Sequence, residues 1–366
     1  MVINPDSMST SAMPCKKIAV SHFRGEWWYS HLATSLAERV TVQTILPTEG
    51  TLPGYDPSTD LNTLLAHETQ STSIFLGSIC VIFPGISRLP MPTAVWTDYI
   101  PCNRDDILSL RLFDQIFCTQ KDSIDLLKND GCRNVHWLPF AFDQTLVNHP
   151  NLEKIYEVAF VGNLDIPTTS AERREVLTRL GQKYRMNDLH PVFGDKMIQI
   201  YNQSKIGVNI PSLGGLNMRT FEVMASGALL LTKEVSNGQR ELFIPGEHLV
   251  TYRDHADLLD KIDYFLKHDR ERLEIAENGR REVMAKHTYA LRATEFLEVM
   301  STATCHDGRC GDASIEATAL GRCYRYLVKR PDLLAGLAGA TGLPWSQRLR
   351  FATESIGKLL QKMIKV

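Results

Sequence analysis

The strongest constraint on this chain is an alternation that runs through most of its length. Short β-branched and aromatic runs, bounded by Gly, Pro or Asn, take turns with segments of helical periodicity. Lys17-Ile18-Ala19-Val20-Ser21 reads as a strand. A turn at Arg24-Gly25 follows, and Trp28, Leu32 and Leu36 then recur at four-residue spacing, the mark of a buried helix face. Further strands are expected at Val40 to Leu46, Ile79 to Phe83, Thr93 to Thr97, Gln115 to Cys118 and Val135 to Leu138. A helix is expected at Ser123 to Lys128, closed by Asp130-Gly131. The segment Phe142 to Lys154 is polar and aperiodic, so it reads as an interdomain boundary. The alternation then restarts with a strand at Glu157 to Gly162 and helices at Glu172 to Leu180 and Asp195 to Gln203. A buried strand at Ile206 to Ile210, a helix at Met218 to Ser226 and a strand at Ala228 to Thr232 follow. A helical stretch from Ala256 to Met300, broken near His268-Asp269 and His287-Thr288, closes the series. Such alternation implies an α/β fold with mostly parallel sheets covered by helices, here as two Rossmann-like units in tandem.

At 366 residues the chain is long enough for two cores of ordinary size, and 43% hydrophobic with 22% charged residues is a globular composition. No run approaches the roughly 18 apolar residues of a membrane span. The polar start, residues 1–14, reads as a disordered leader without signal-peptide character. The eight cysteines are scattered, several inside apolar runs, which fits reduced thiols and a cytoplasmic location better than a disulfide framework. The net charge of −2 hides a gradient: Gly321 to Val366 carries +7 and the rest −9. An acidic body argues against nucleic-acid binding.

The most informative stretch is Gly214-Gly215-Leu216-Asn217-Met218-Arg219-Thr220-Phe221-Glu222, which reads as a glycine loop feeding a helix. Asn217 is a candidate N-cap. The free N–H groups of such a helix start, at Gly215, Asn217 and Met218, receive anions. Arg219 adds a cation suited to phosphate oxygens, and Glu222 an acceptor for ribose hydroxyls. The spacing fits an i,i+3 surface ion pair between Arg219 and Glu222 equally well.

With these residues in view, Tyr201 through Arg292 resembles the C-terminal domain of group 1 glycosyltransferases, and more narrowly their spore-maturation-type (CgeB-like) branch. The matching pieces are Asn217-x-Arg219-x-Phe221-Glu222 with Ala225-x-Gly227, Glu241-Leu242-Phe243-x-Pro245-Gly246-Glu247, and His287-Thr288-Tyr289-x-x-Arg292. Phe160-Val161-Gly162-Asn163 with Arg173, and Leu112-Phe113-Asp114 through Leu138-Pro139-Phe140-Ala141-Phe142-Asp143, extend the resemblance over roughly residues 15 to 300. The resemblance implies a GT-B fold: an acceptor-side domain at 15–150, a nucleotide-sugar domain at 151–285 and a crossover helix at 286–300. A linker at 301–318 and a basic helical tail at 319–366 complete the expected organisation. It also implies a sugar transferred from a UDP- or GDP-sugar to a hydroxyl-bearing acceptor, without a metal ion. Glu222 would meet the donor ribose, Arg219 and the N–H groups after Asn217 the diphosphate, and Gly162 and Asn163 the diphosphate or the sugar. Phe193, within His190-Pro191-Val192-Phe193-Gly194, would lie by the base. One departure stands out: Gly214 occupies the position of the first Glu of the family's Glu-x7-Glu motif. A non-catalytic nucleotide-sugar-binding scaffold or an epimerase of the same fold therefore remains an alternative.

His22 and Glu26, in the loop after the first strand, are candidate bases for an inverting reaction, and they equally fit a capped helix packed by Trp. Asp98 is a further cleft-edge carboxylate or a turn residue. His287-Thr288-Tyr289 is expected to pin the crossover helix, and Arg292 to be a packing or ion-pair residue. Cys305-His306-Asp307-Gly308-Arg309-Cys310 lacks a second ligand pair at zinc spacing and reads as a polar linker. In the tail, Ile356, Leu359, Leu360 and Ile364 share a helical face beside Lys358, Lys362 and Lys365. That face is a candidate for peripheral membrane contact or for packing on protein.

Overall fold

The computed structural model describes residues 17–21, 27–45, 60–65, 73–79, 82–98, 104–164, 170–211, 214–305, 309, 311, 313–322 and 345–353. His22 and Glu26, the leader at 1–14, Cys310, and the tail positions from Ile356 onward lie outside them.

The first sheet holds β1 (Lys17–Ser21), β2 (Thr41–Ile45), β3 (Ile74–Gly77), β4 (Thr93–Thr97), β5 (Gln115–Cys118) and β6 (Val135–Trp137), in the order β2-β1-β3-β4-β5-β6. Every pairing is parallel. β4 and β5 are buried along their whole length, which is why they read as unbroken apolar runs. β2, at the edge, alternates polar and apolar residues and is largely accessible. The chain leaves β1 outward to β2 through α1 (Trp27–Ala37), then crosses back by way of α2 (Leu61–Leu64) to β3 on the other side, and α3 (Arg104–Leu110) and α4 (Ser123–Asn129) precede β5 and β6. That reversal opens a crevice at the C-terminal ends of the strands.

The second sheet, β7 (Tyr156–Ala159), β8 (Ser204–Asn209), β9 (Leu229–Lys233) and β10 (Val250–Tyr252), is also parallel and runs in sequence order. Its helices include α5 (Ser170–Lys183), α6 (Asp195–Asn202), α7 (Met218–Ala225) and the short α8 (Gln239–Leu242). The helical stretch breaks where the sequence suggests, into α9 (His255–Lys267), α10 (Asp269–Lys286) and α11 (Tyr289–Ser301). The Asp254 carboxylate caps α9 by accepting from Asp257 N at 3.0 Å, a contact worth about 1 kcal/mol.

One expected strand is displaced. The sheet takes Ile74–Gly77, pairing with β1 and β4, instead of Ile79 to Phe83. Ile82 and Phe83 are buried for another reason: with Ile86 and Leu89 they pack under α12 (Ala313–Arg322), whose Ile315 and Leu320 share their core cluster. Glu316 of α12 accepts from Gly85 N at 2.7 Å and Ser87 N at 3.1 Å. Arg309, within the 301–318 segment, donates to Ile86 O and Leu89 O and lies 3.6 Å from the buried Asp114 carboxylate.

The two sheets share a core. One cluster runs from Ile18 and Trp96 through Phe140 and Phe221 to Tyr289 and Phe296. α11 returns from the second sheet to lie on α1, where Arg39 donates to Ala290 O at 3.2 Å and Thr294 Oγ1 at 3.0 Å. At its start, Phe142 N donates to His287 O and Tyr289 N to Phe142 O. Arg292 is buried against Pro139 O and His287 and pairs with Glu295 at 2.8 Å, so it both packs and forms an ion pair. Burial, reinforced by the Arg292 charge, pushes His287 down to about 3 and keeps its ring neutral.

Candidate active site

The C-terminal ends of both sheets face one cavity of about 630 Å³. The wall from the second sheet begins where β7 ends. Phe160 and Val161 are buried, and the chain then turns out at Gly162 and Asn163. Opposite them, β8 ends at Asn209, and the glycine loop, with Gly214 at φ 72°, leads into α7. From the first turn of α7, Arg219 reaches back: Nε donates to Val161 O at 2.8 Å and Nη1 to Asn209 Oδ1 at 2.9 Å. Its guanidinium lies 4.4 Å from the centre of the Phe160 ring, close enough for cation–π attraction. Arg173, on α5, approaches the same ring at 5.6 Å and donates to Asn163 O and Ile210 O, both at 2.8 Å. Burial, then the neighbouring Arg219 charge, lowers Arg173 to about 10, so its guanidinium remains cationic at neutral pH.

Arg219 therefore does not form the surface ion pair with Glu222 that the spacing allowed. Its backbone and amide partners hold it across Gly162 instead. A Cβ on Gly162 would stand 2.1 Å from Arg219 Nη2, so a side chain here would displace the guanidinium from the place its hydrogen bonds give it. Asn217 also departs from expectation. Its backbone is extended, as an N-cap's should be, but its side chain makes no capping bond. Instead it exchanges hydrogen bonds with Asn209, Nδ2 to Oδ1 at 3.0 Å and the reverse at 3.1 Å. The capping oxygen is drawn away, so the helix start keeps its N–H groups uncapped by that side chain. Asn209 also donates to Thr220 and Thr232 hydroxyls and is the hub of this wall. Sequence reasoning missed it because it sits at the end of an apolar strand.

Glu222 lines the cavity one turn below Arg219. Burial pushes its carboxyl up to about 7, with the nearby positive charge of Arg219 opposing that rise. Gly215 and Met218 also line the cavity, and Phe193 stands at its lip, 61% exposed.

The wall from the first sheet carries Trp28 and His31 on one face of α1, then Asp98 after β4, Gln120 after β5 and Phe140 after β6. Asp98 accepts from Thr119 Oγ1 at 3.0 Å and Gln120 Nε2 at 3.3 Å; burial still lifts it to about 6. The Gln120 amide joins the walls, donating to Leu216 O and accepting from Leu216 N, both at 2.9 Å. His31 Nδ1 lies 2.6 Å from Asp143 Oδ2, and its ring rests against Tyr289 at 5.2 Å. Neither member of this pair was singled out by sequence, although Asp143 ends the Leu138-to-Asp143 motif. The Trp28–His31 spacing, one helical face pointing into the crevice, was the available signal. Among the described residues, no group of three or more His, Cys, Asp or Glu is placed to hold a metal ion, and no helix is long and apolar enough to cross a membrane.

Residues 152–298 match the family model described as Glycosyl transferase-like. Among solved structures, sucrose-phosphate synthase from Thermosynechococcus elongatus aligns with a TM-score of 0.56 at 13% identity, covering 77% of this chain and 98% of that one. HepE from Anabaena, in complex with UDP and glucose, aligns with a TM-score of 0.58 at 13% identity, covering 78% and 100%. A UDP-forming trehalose-phosphate synthase from Burkholderia xenovorans reaches 0.51 at 12% identity, covering 79% and 99%. No curated protein matches the sequence. These likenesses identify the fold as GT-B, two Rossmann-like units facing across a cleft.

Proposed function

We propose, for a chain that carries a glycosyltransferase domain on the GT-B fold, that it moves a sugar from a nucleoside-diphosphate donor to a hydroxyl-bearing acceptor. The acceptor would be a glycan, a lipid-linked glycan or a small molecule. The observation that carries this reading is the pair of guanidiniums, Arg219 and Arg173, held on Phe160 where the glycine loop enters α7. Cations and helix N–H groups converging there suit a diphosphate, which gains charge as the glycosidic bond breaks. Arg219 is the residue placed to stabilise that charge. Glu222 would accept from the ribose, and Gly162, Asn163, Gly215, Asn217 and Met218 would shape the diphosphate and sugar subsites. Phe193 at the lip would cover the base. HepE, whose structure holds UDP and glucose, favours a UDP-sugar, with a GDP-sugar as the second candidate. Charge neutralisation by arginine makes a divalent ion unnecessary in this scheme.

In this reading residues 15–150 serve the acceptor and 151–285 the donor, with 286–300 as the crossover helix; the 301–318 linker and the 319–366 basic tail meet within α12, so the end of the linker is packed on the first unit. The branch would be the spore-maturation type, and the location cytoplasmic, with the tail in peripheral membrane contact. A second reading, a nucleotide-sugar epimerase, draws on one observation: Asp98 and Glu222 share the cavity and both have raised pKa values, as an acid/base pair requires.

The test is a thermal-shift screen against UDP, GDP, ADP, CMP and their sugar conjugates. A ligand bound only by the folded chain raises its stability by mass action. A shift with one diphosphate family, lost in Glu222→Ala, supports the donor pocket. Isomerised donor without acceptor would favour the epimerase. Binding without turnover would favour a scaffold, and no shift at millimolar nucleotide would refute the pocket.

A further inference from the structure

We infer that Gln120, from the acceptor-side unit, is a positioning residue for the donor: it holds the glycine loop in the shape that receives the diphosphate. This rests on the glycosyl-transfer reading above. Glycine gives up more conformational freedom on ordering than any other residue, so Gly214-Gly215 does not keep one shape unaided. The N–H groups of such a loop are aimed at a ligand beforehand only where something outside the loop constrains them.

The constraint comes from Gln120-Lys121-Asp122, consecutive residues between β5 and α4. At one end of the loop, Leu216 N donates to Gln120 Oε1 and Gln120 Nε2 donates to Leu216 O, both at 2.9 Å. A single amide thus fixes the peptide planes on both sides of Leu216. A trans peptide sets its N–H opposite its C=O, so the Asn217 N–H points away from Gln120 as α7 begins. At the other end, Asn237 Nδ2 donates to Gly214 O at 3.0 Å. Asp122 holds that asparagine in turn: its N donates to Asn237 Oδ1 at 3.3 Å, and its Oδ2 accepts from Asn237 N at 3.2 Å. Gln120 and Leu216 are both buried, so water does not compete for their bonds. The Gln120 amide is itself steadied by Asp98 Oδ1 and Thr119 Oγ1, 3.3 and 3.2 Å from Nε2.

The nucleotide unit therefore supplies the loop, and the other unit supplies its shape. A diphosphate that meets the loop already ordered binds more tightly, because the ordering cost does not fall on binding. The benefit is confined to the phosphates. Phe193 and Glu222, the residues proposed for base and ribose, lie outside the loop, so a bare nucleoside draws nothing from it.

The experiment uses the full chain and whichever of UDP, GDP or ADP binds it most tightly. The affinity of that diphosphate is divided by the affinity of its bare nucleoside, in wild type, Gln120→Leu, Asn237→Ala and Glu241→Gln. The last variant breaks the ion pair of Lys121 with Glu241, 2.6 Å apart across the same join, without touching the loop. The ratio should fall about tenfold in Gln120→Leu and about threefold in Asn237→Ala, and stay at the wild-type value in Glu241→Gln. Nucleoside affinity should remain within about twofold of wild type throughout. A wild-type ratio in Gln120→Leu overturns the inference, as do equal losses of diphosphate and nucleoside affinity or the same fall in Glu241→Gln. Where Gln120→Leu does not fold, Asn237→Ala decides by the same criteria. If wild type binds no diphosphate, the transferase reading falls and this inference with it; wild-type binding with an unchanged ratio removes the role of Gln120 alone.

Discussion

Where the second sheet meets the cleft, it delivers cations: Arg219 and Arg173 lie on Phe160 beside an uncapped helix start. Where the first sheet meets it, it delivers an imidazole and carboxylates, His31 backed by Asp143 and Asp98 held by Thr119 and Gln120. Both walls are the C-terminal edges of parallel sheets, so the architecture does not distinguish them. The difference is written in side chains, and it matches a reaction in which one partner gathers negative charge and the other gives up a proton.

The largest expected effect breaks the cationic wall alone. Arg219→Ala removes a charged hydrogen-bonding group, worth about 1.5–3 kcal/mol, so affinity for the preferred nucleoside diphosphate should fall about 10- to 150-fold in calorimetric titration. Unchanged affinity would remove Arg219 from the diphosphate site. Next in size is the join between them. Gln120→Leu deletes two hydrogen bonds to Leu216, each worth about 0.5–1.5 kcal/mol, and should lower the urea midpoint by the equivalent of about 1–3 kcal/mol. A midpoint equal to wild type would mean that this amide does not couple the sheets.

The smallest effect concerns pH. Burial raises Glu222 from 4.5 to about 7, so between those values the folded chain holds a proton that the unfolded chain has released. Its contribution to stability is complete below pH 4.5 and is lost as pH rises through about 7. Glu222→Gln removes this dependence. Its melting temperature relative to wild type should therefore climb over that range, and a flat difference would place the Glu222 pKa at its ordinary value.

How much of this was legible in the sequence follows from which residues depend on neighbours close in the chain. β1, β4 and β5 fall where the sequence puts them, because a strand buried on both faces is an apolar run with turn residues at its ends. β3 was misplaced because Ile82 and Phe83 owe their apolarity to α12, which lies far along the chain. β10, Val250–Tyr252, is too short to show a period. Arg219, Glu222 and Gly162 stood out because a glycine loop before a helix is a local pattern. The His31–Asp143 pair spans 112 positions and exists only once α1 meets the turn after β6. Asn209 was hidden in the same way, since its five polar partnerships are tertiary.

The close passage of Arg219 over Gly162 also bears on how this site can change by descent. Any side chain at 162 collides with the guanidinium, with 2.1 Å left to Nη2 and 3.2 Å to Cζ. A shorter residue at 219 removes that obstacle but gives up the cation. The two positions are therefore coupled: a side chain at 162 pushes the guanidinium off Val161 O and Asn209, so the cost of a change at one position depends on what stands at the other. A double-mutant cycle across the pair would measure that coupling.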